Sequence, residues 1–580
     1  MRTYAEALSV AESWAKEPFD RETFSAVRAL IDLPENDREP AIMDRFGYDL
    51  SFGTAGMRAI MDVGTARINE YTIARVSAAV AKVLQPQAGA ARRPVVVIGY
   101  DGRKNSENFA RIAQQQFLAQ GVDVLAFNRI VPTPIVPFAV RRFKADCGVM
   151  ITSSHNAAAY NGYKVYNANG AQILSPFDTD VMTAMANLPY LPSPAGRGDG
   201  GEGGSDGGKL TTLDETILKT YVEWVTAEVD FAADRSMKIV FTPLHGAAGA
   251  LMNAVFYRSG FKNFLPVPQQ YEPHPQFPTV KAPNPENKDS LDMALEKART
   301  DGADLILATD GDGDRIGIAY RQGDGFRVLT GNQIGTVLLF YLLSKMREKN
   351  IPLTGAFALS SVVSTPLTRA VCAHFGIEHF ETLTGFKNMG NKAHDLIAAD
   401  KSRRMVLAFE EAFGVTIGDS RDKDGIISCL LAAHCASDGG IEHWLKAMYD
   451  ACGYYSEDAV EREFPGAEGI AEMAAVVDKL RTAPPEEMLG SPITTIRDFK
   501  KGIETHNGAS KPIEGIPAQN LLFFINAQGD WVAVRPSGTE PKVKAYVGVR
   551  DKSAYSTDLE SKCHERLVAL CHFAKGLLET

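Results

Sequence analysis

The sequence predicts an α/β fold of three similar domains with mixed, largely parallel sheets, followed by a smaller α+β domain. Three observations carry this expectation. Short β-branched runs alternate with longer amphipathic stretches, a strand, helix, strand, helix, strand order recurs three times, and every repeat ends in a polar loop. A chain of 580 residues is also longer than one hydrophobic core serves.

The first repeat runs from the Val95 to Ile98 strand, past an amphipathic stretch from Glu107 to Gln120 and a Gly121 to Leu125 strand, to Gly148-Val149-Met150-Ile151. It ends in Thr152-Ser153-Ser154-His155-Asn156. The stretch from Pro192 to Gly208 is too rich in glycine and too poor in apolar side chains to fold by itself, and reads as a disordered surface insertion. The second repeat runs from Lys238-Ile239-Val240-Phe241, through the amphipathic Ser290 to Asp301, to Asp304-Leu305-Ile306-Leu307 and the loop Asp310-Gly311-Asp312-Gly313-Asp314-Arg315. The third runs from Ala356-Phe357-Ala358-Leu359 to Met405-Val406-Leu407-Ala408 and Phe409-Glu410-Glu411-Ala412-Phe413-Gly414. After about Tyr455 come strands near Leu521 to Asn526, Trp531 to Arg535 and Val543 to Val549, then a closing helix, Ser553 to Leu578. These readings set domains at 1–225, 226–345, 346–455 and 456–580. Ligands collect outside the carboxyl ends of strands in such sheets, so the three loops are expected to line one central cleft.

With 61 basic against 71 acidic side chains, the formal charge of -10 argues against nucleic acid or anionic membrane as partners. A phosphate-bearing ligand must find a local basic site. The start, MRTYAEALSVAESWAKEP, lacks the apolar stretch of a signal peptide, and the densest later segment, Ile334 to Leu343, is too short to span a bilayer. Seven cysteines without a C-x-x-C pair fit reduced cytoplasmic thiols in the core. The oligomeric state is left open.

A serine hydroxyl is a weak nucleophile, and no G-x-S-x-G elbow surrounds Ser153 or Ser154 to suggest acyl transfer. His155 and Lys164 instead suit a phosphorylated serine, as cationic donors around a dianion. The competing reading is a polar turn that merely satisfies its own backbone. Asp310, Asp312 and Asp314 alternate, so in an extended loop their carboxylates face one side, as a hard divalent cation requires. An EF-hand would need glycine at 315 and glutamate at 321; both are arginine. Magnesium takes about six oxygens and often borrows a phosphate oxygen, leaving a place for a phosphoserine. A solvated turn is the alternative here too. Arg535-Pro536-Ser537-Gly538-Thr539-Glu540-Pro541-Lys542 combines a forked cation, two hydroxyls and an open backbone, the parts of a phosphate clamp, against which stands a plain tight turn. Glu410 and Glu411 point apart at a strand end, so at least one is expected to hydrogen-bond sugar hydroxyls.

In this order, these residues resemble the α-D-phosphohexomutase superfamily of phosphoglucomutases and phosphomannomutases, over nearly the whole chain. The matching features are Phe52-Gly53-Thr54-Ala55-Gly56-Met57-Arg58, the serine loop with Asn161-Gly162-Tyr163-Lys164, the aspartate loop, Thr384-Gly385-Phe386-Lys387, Phe409 to Gly414, and Arg535 to Pro541. The resemblance implies a four-domain phosphohexomutase-like architecture in which Ser154 carries the phosphoryl group and Mg²⁺ is held by Asp310, Asp312, Asp314 and a Ser154 phosphate oxygen. It implies that Arg58 and Lys164 assist proton movement and charge stabilisation, that His155 supports the loop, that Arg315 faces the substrate, and that Lys423 is a further basic catalytic position. Thr384, Gly385, Phe386 and Glu410 would face the sugar. Arg535, Ser537, Gly538, Thr539 and Lys544 would hold the phosphate that is not reacting.

The implied reaction interconverts glucose 1-phosphate and glucose 6-phosphate through glucose 1,6-bisphosphate, with hexose or pentose monophosphates as partners. Phosphopentomutase and phosphomannomutase activity are the alternatives on the same scaffold, with a sugar-phosphate phosphatase or a non-catalytic binding protein behind them. Two departures bear on this. Ala157 stands where the serine loop commonly has proline, and Ala412 stands where many phosphoglucomutases have a sugar-binding serine. The F-E-E-A motif looks more like the branch that includes phosphopentomutases.

Overall fold

A computed structural model describes the chain except residues 17, 54–55, 86–91, 191–206, 232–233, 465–468, 537–541 and 580. Most of the glycine-rich stretch 192–208 therefore lies outside the described residues. The chain forms two compact units, one of residues 1–329, 386–398 and 413–438, the other of residues 330–385, 399–412 and 439–580.

The first unit opens with three helices that sequence reasoning did not anticipate, Tyr4–Trp14, Arg21–Ile31 and Glu35–Phe46. Their start signals were nevertheless present. Thr3 and Glu6 close a capping box, and the Asp20 carboxylate accepts the Glu22 and Thr23 backbone N–H groups. Trp14, Phe46 and Tyr71 pack edge to face beneath them.

Two mixed sheets follow. The first has the order Met57–Ile60, Tyr160–Asn167, Cys147–Ile151, Val95–Tyr100, Asp123–Phe127, Leu210–Leu213. The last four run parallel, and their buried centre explains why Val95 to Ile98 reads as continuous apolar sequence rather than an alternating pattern. The second sheet has the order Gly325–Val328, Ile316–Gln322, Leu305–Thr309, Ile239–Thr242, Phe264–Pro266. The helix Gly425–Ser437 packs on it and is apolar all round because nearly every residue in it is buried.

Both sheets place their polar loop inside an antiparallel hairpin. Cys147–Ile151 returns as Tyr160–Asn167, and Leu305–Thr309 returns as Ile316–Gln322. The sequence reading of parallel units stopped each repeat at its loop and so missed the return strands. The register sets Lys164 opposite Met150, one strand away from the serine loop's own.

In the second unit, Glu378–Thr382, Ala356–Ser361 and Arg404–Glu410 pair in parallel. The helix Gly331–Glu348 packs on Arg404–Glu410, and its apolar run is buried there. A Cβ on Gly335 would lie 2.2 Å from the Phe409 ring, so only glycine permits this approach. The C-terminal sheet is antiparallel, in the order Tyr454–Glu463, Lys542–Asp551, Trp531–Pro536, Leu522–Asn526, Ser491–Asp498, Ile503–His506, Ala509–Pro512. The helix Thr557–Glu579 packs against its first two strands. Ile503–His506 and Ala509–Pro512 escaped sequence reasoning because they are largely exposed and carry no apolar alternation. No helix among the described residues is long and apolar enough to cross a membrane.

Candidate active site

The serine loop begins where the Cys147–Ile151 strand runs out. Ser154 has φ +52°, a left-handed conformation that costs a non-glycine residue roughly 1 kcal/mol or more. Its neighbours hold it there. Asp101 Oδ2 accepts the Thr152 hydroxyl at 2.6 Å, and Thr152 Oγ1 in turn accepts the Ser154 N–H at 2.9 Å. The fully buried Arg103 side chain donates to the carbonyls of Ser154 and Asn156, both at 2.6 Å, and to those of Ala157 and Tyr160 at 3.0 and 3.2 Å. The result aims Ser154 Oγ at Asp310 Oδ2, 2.7 Å away, while the Ser153 hydroxyl turns to Asn156 Oδ1 at 3.4 Å.

Asp101 and Arg103 were missed in the sequence. The signal was a charged turn, Asp101-Gly102-Arg103, at the carboxyl end of a parallel strand. Arg103→Met would leave the Asp101 carboxylate buried without its partner 3.3 Å away. A loss of about 3–5 kcal/mol in urea unfolding is expected. A loss under about 1 kcal/mol would show that the loop stands without this guanidinium.

The aspartate loop turns tightly through Gly313, at φ +74°, where a Cβ would lie 3.0 Å from Pro132 and 3.1 Å from Ala248. Asp310 Oδ1 accepts the N–H groups of Asp314 and Arg315, both at 3.0 Å. Asp312 Oδ2 accepts Thr133 Oγ1 at 2.6 Å and Lys164 Nζ at 2.7 Å. Lys164 also reaches Asp314 Oδ2 at 2.7 Å, and Lys423 Nζ lies 3.1 Å from Asp314 Oδ1. Burial, with Asp312 and Asp314 facing it, pushes the Asp310 carboxyl up to about 7. Burial acts the same way on Asp314, but Lys164 and Lys423 outweigh it and hold that carboxyl well below the usual range.

These three carboxylates fit a divalent cation. One oxygen from each lies within 4.8 Å of the others, all three residues are fully buried, and Asp312 Oδ1 is buried without a hydrogen-bond partner. Three crowded carboxylates in a dry site need positive charge, which the two lysines supply only in part.

The remaining cations surround the pair of loops. Arg58 Nη1 donates to Asn156 Oδ1 at 3.5 Å and feels both Asp312 and Asp314. Arg315 lies 3.4 Å from Glu286 and 3.5 Å from His155 Nε2. His155 Nδ1 lies 3.4 Å from Ser154 Oγ. Burial, and then Arg315, Arg58 and Lys423, lower its pKa well below the usual imidazole value.

In the second unit, Glu410 Oε1 accepts the Gly385 N–H at 2.6 Å, tying together two loops expected to face a sugar. Thr384 is half-buried beside Gly385; Phe386, which belongs to the first unit, is buried at the start of its helix. Glu411 takes a structural part, with Oε2 accepting Ser361 Oγ at 2.9 Å and Ser364 Oγ at 3.2 Å. Arg535 and Lys544 stand directly opposite each other on paired strands, and Lys544 Nζ lies 4.9 Å from the Tyr546 ring centroid. Tyr546, which sequence reasoning also missed, is a buried phenol under the field of Glu411, Arg535 and Glu410. Ser537, Gly538 and Thr539 lie outside the described residues.

Comparison with known proteins covers most of the chain. The chain matches the phosphoglucomutase/phosphomannomutase models for alpha/beta/alpha domain I at residues 49–190, domain II at 219–323, domain III at 330–452 and the C-terminal domain at 470–557. It is 35% identical to the phosphopentomutase of Homo sapiens over 558 residues, 90% of this chain and 88% of that one. It is 29% identical to the phosphoglucomutase of Staphylococcus aureus (strain USA300) over 540 residues, 89% and 92% of the two chains. Among solved structures, the open form of pp63/parafusin, a phosphoglucomutase from Paramecium, superposes with a TM-score of 0.65 at 18% identity, covering 92% of this chain and 95% of that one.

Proposed function

The chain belongs to the phosphoglucomutase/phosphomannomutase family of the α-D-phosphohexomutase superfamily and is a phosphomutase, and from that premise we propose that it moves the phosphate of a pentose monophosphate between the sugar's two ends through a phosphoserine at Ser154. The observation that carries this reading is the 2.7 Å approach of Ser154 Oγ to Asp310 inside a buried, cation-ringed acidic cluster. A hydroxyl so placed can pass a phosphoryl group to the free hydroxyl of a sugar monophosphate. The bisphosphate so formed returns its other phosphoryl group to Ser154 Oγ.

Each residue has a part. Arg58, Lys164 and Lys423 neutralise charge spreading over the transferring group, and the proton lost by the attacking sugar hydroxyl ends on Ser154 Oγ as the phosphoryl group leaves it. His155 donates to the serine phosphate, and Arg315 meets the incoming sugar phosphate. Glu410, with Thr384, Gly385 and Phe386, orients the sugar, while Arg535, Lys544 and the segment with Ser537, Gly538 and Thr539 grip the idle phosphate. Asp310, Asp312 and Asp314 would hold Mg²⁺, which when bound supplies electrostatic stabilisation of the phosphoryl oxygens.

The pentose preference rests on two supports. Ala412 offers no hydroxyl to an extra sugar oxygen, and the phosphopentomutase relative shares more of this sequence than the phosphoglucomutase one. Glucose 1-phosphate and glucose 6-phosphate, with glucose 1,6-bisphosphate as intermediate and activator, form the second reading, supported by the likeness to the phosphoglucomutase. Rates with ribose, glucose and mannose 1-phosphates, each with its bisphosphate activator, test the choice. A kcat/KM for ribose 1-phosphate at least roughly tenfold above the others is expected, about 1.4 kcal/mol of discrimination. A higher value for glucose 1-phosphate would reverse the order.

A further inference from the structure

A cavity of about 220 Å³ is lined by none of the residues given a part above, yet by their chain neighbours: Pro134 beside Thr133, and Arg421 and Asp424 on either side of Lys423. One wall is aromatic. The half-buried Phe138 and Trp224 rings lie 5.5 Å apart at 33°, and the buried Tyr221 below them hydrogen-bonds both Asp424 oxygens, at 2.8 and 2.7 Å.

Three guanidinium groups also line it: Arg141 and Arg142, one turn on from Phe138 in the helix Ile135–Phe143, and Arg421. Arg141 donates to the Asp419 carboxylate and carbonyl, and Arg421 donates to Asp419 Oδ1 at 3.0 Å. The Arg421 side chain is only 4% exposed, and its Nε is buried without a hydrogen-bond partner. Burial and the facing Arg141 charge both lower its pKa. Two like charges are thus held together by one carboxylate, itself 59% exposed. The arrangement is an anion site served by the protein's own side chain, beside a group of half-buried aromatic rings. Forked cations next to aromatic rings are the recognition chemistry of an aromatic phosphate.

We propose that this cavity binds a nucleoside monophosphate, with the base against Phe138 and Trp224 and the phosphate in Asp419's place between Arg141 and Arg421, with Arg142 as a third contact. Binding reaches the catalytic loops through the chain. Displacing Asp419 releases the segment that carries Lys423, whose Nζ lies 3.1 Å from Asp314. Turnover then falls; this coupling, though not the binding, rests on the function proposed above.

Calorimetric titration of the full chain with adenosine 5′-monophosphate, inorganic phosphate and adenosine tests the site. The nucleotide is expected to saturate with Kd below about 1 mM, and the two fragments to bind at least roughly tenfold more weakly. Arg142→Glu and Trp224→Leu should each weaken the nucleotide about tenfold or more, Asp419→Asn should tighten it, and Arg535→Ala should leave it unchanged. Absence of saturation, equal affinity for inorganic phosphate, or loss of binding in Arg535→Ala but not in Arg142→Glu would overturn the site. The nucleotide should also slow turnover in the wild type but not in Trp224→Leu, whose basal rate is expected to match wild type. Binding with unchanged turnover overturns the coupling.

Discussion

Replacing Ser154 by alanine is expected to lower turnover by roughly 10⁴-fold or more, the loss that follows when a covalent nucleophile has no substitute. The described residues around the acidic cluster offer none. Ser153, one residue away, turns its hydroxyl to Asn156, whereas Ser154 Oγ lies 2.7 Å from Asp310. Alanine adopts φ +52° about as readily as serine does, so stability should change by only about 1 kcal/mol, the worth of one hydrogen bond. Initial rates with a sugar 1-phosphate and a trace of bisphosphate activator provide the measurement. Ser153→Ala, run alongside, should keep most of the activity. The reverse pattern would move the nucleophile to Ser153, and wild-type rates in both variants would remove the serine from the chemistry.

The second large effect concerns the acidic cluster. Chelation of divalent cations should remove activity, magnesium should restore it, and Asp312→Asn should raise the magnesium concentration needed by roughly 10²-fold, since one anionic oxygen is lost from a buried site. The pH dependence has a definite sign. Asp310 is pushed up to about 7, so below that pH a cation must expel its proton, and apparent affinity should fall about tenfold per pH unit on the acid side. Above about 7 the dependence should level off. An unchanged magnesium titration in Asp312→Asn would exclude that side chain as a ligand.

Much of this site could be read from the sequence because its chemistry is local. Asp310, Asp312 and Asp314 alternate in one loop, and their residue types already demand a hard cation; Ser154 and His155 adjoin at a strand end. What escaped depends on contacts between distant segments. Arg103 meets Ser154 and Asn156 only after two parallel strands pair, and Lys164 reaches the aspartates only because the chain returns from the serine loop as an antiparallel strand. The surroundings of His155 are equally non-local, since burial and then Arg315, Arg58 and Lys423, from separate parts of the chain, lower its pKa. In the fold, buried strands announced themselves by apolar runs, whereas the N-terminal helices and the exposed strands Ile503–His506 and Ala509–Pro512 lacked the repeat pattern that organised the reading.

The most direct test of the central claim is a chase of the phosphoenzyme. The protein is phosphorylated with a labelled sugar bisphosphate, freed of excess, mapped by peptide mass, and mixed with unlabelled sugar monophosphate in a rapid quench. The account expects label on Ser154 alone, passing to sugar bisphosphate at least as fast as steady-state turnover. Label on another residue, or label that leaves Ser154 as inorganic phosphate without appearing in sugar, would contradict it.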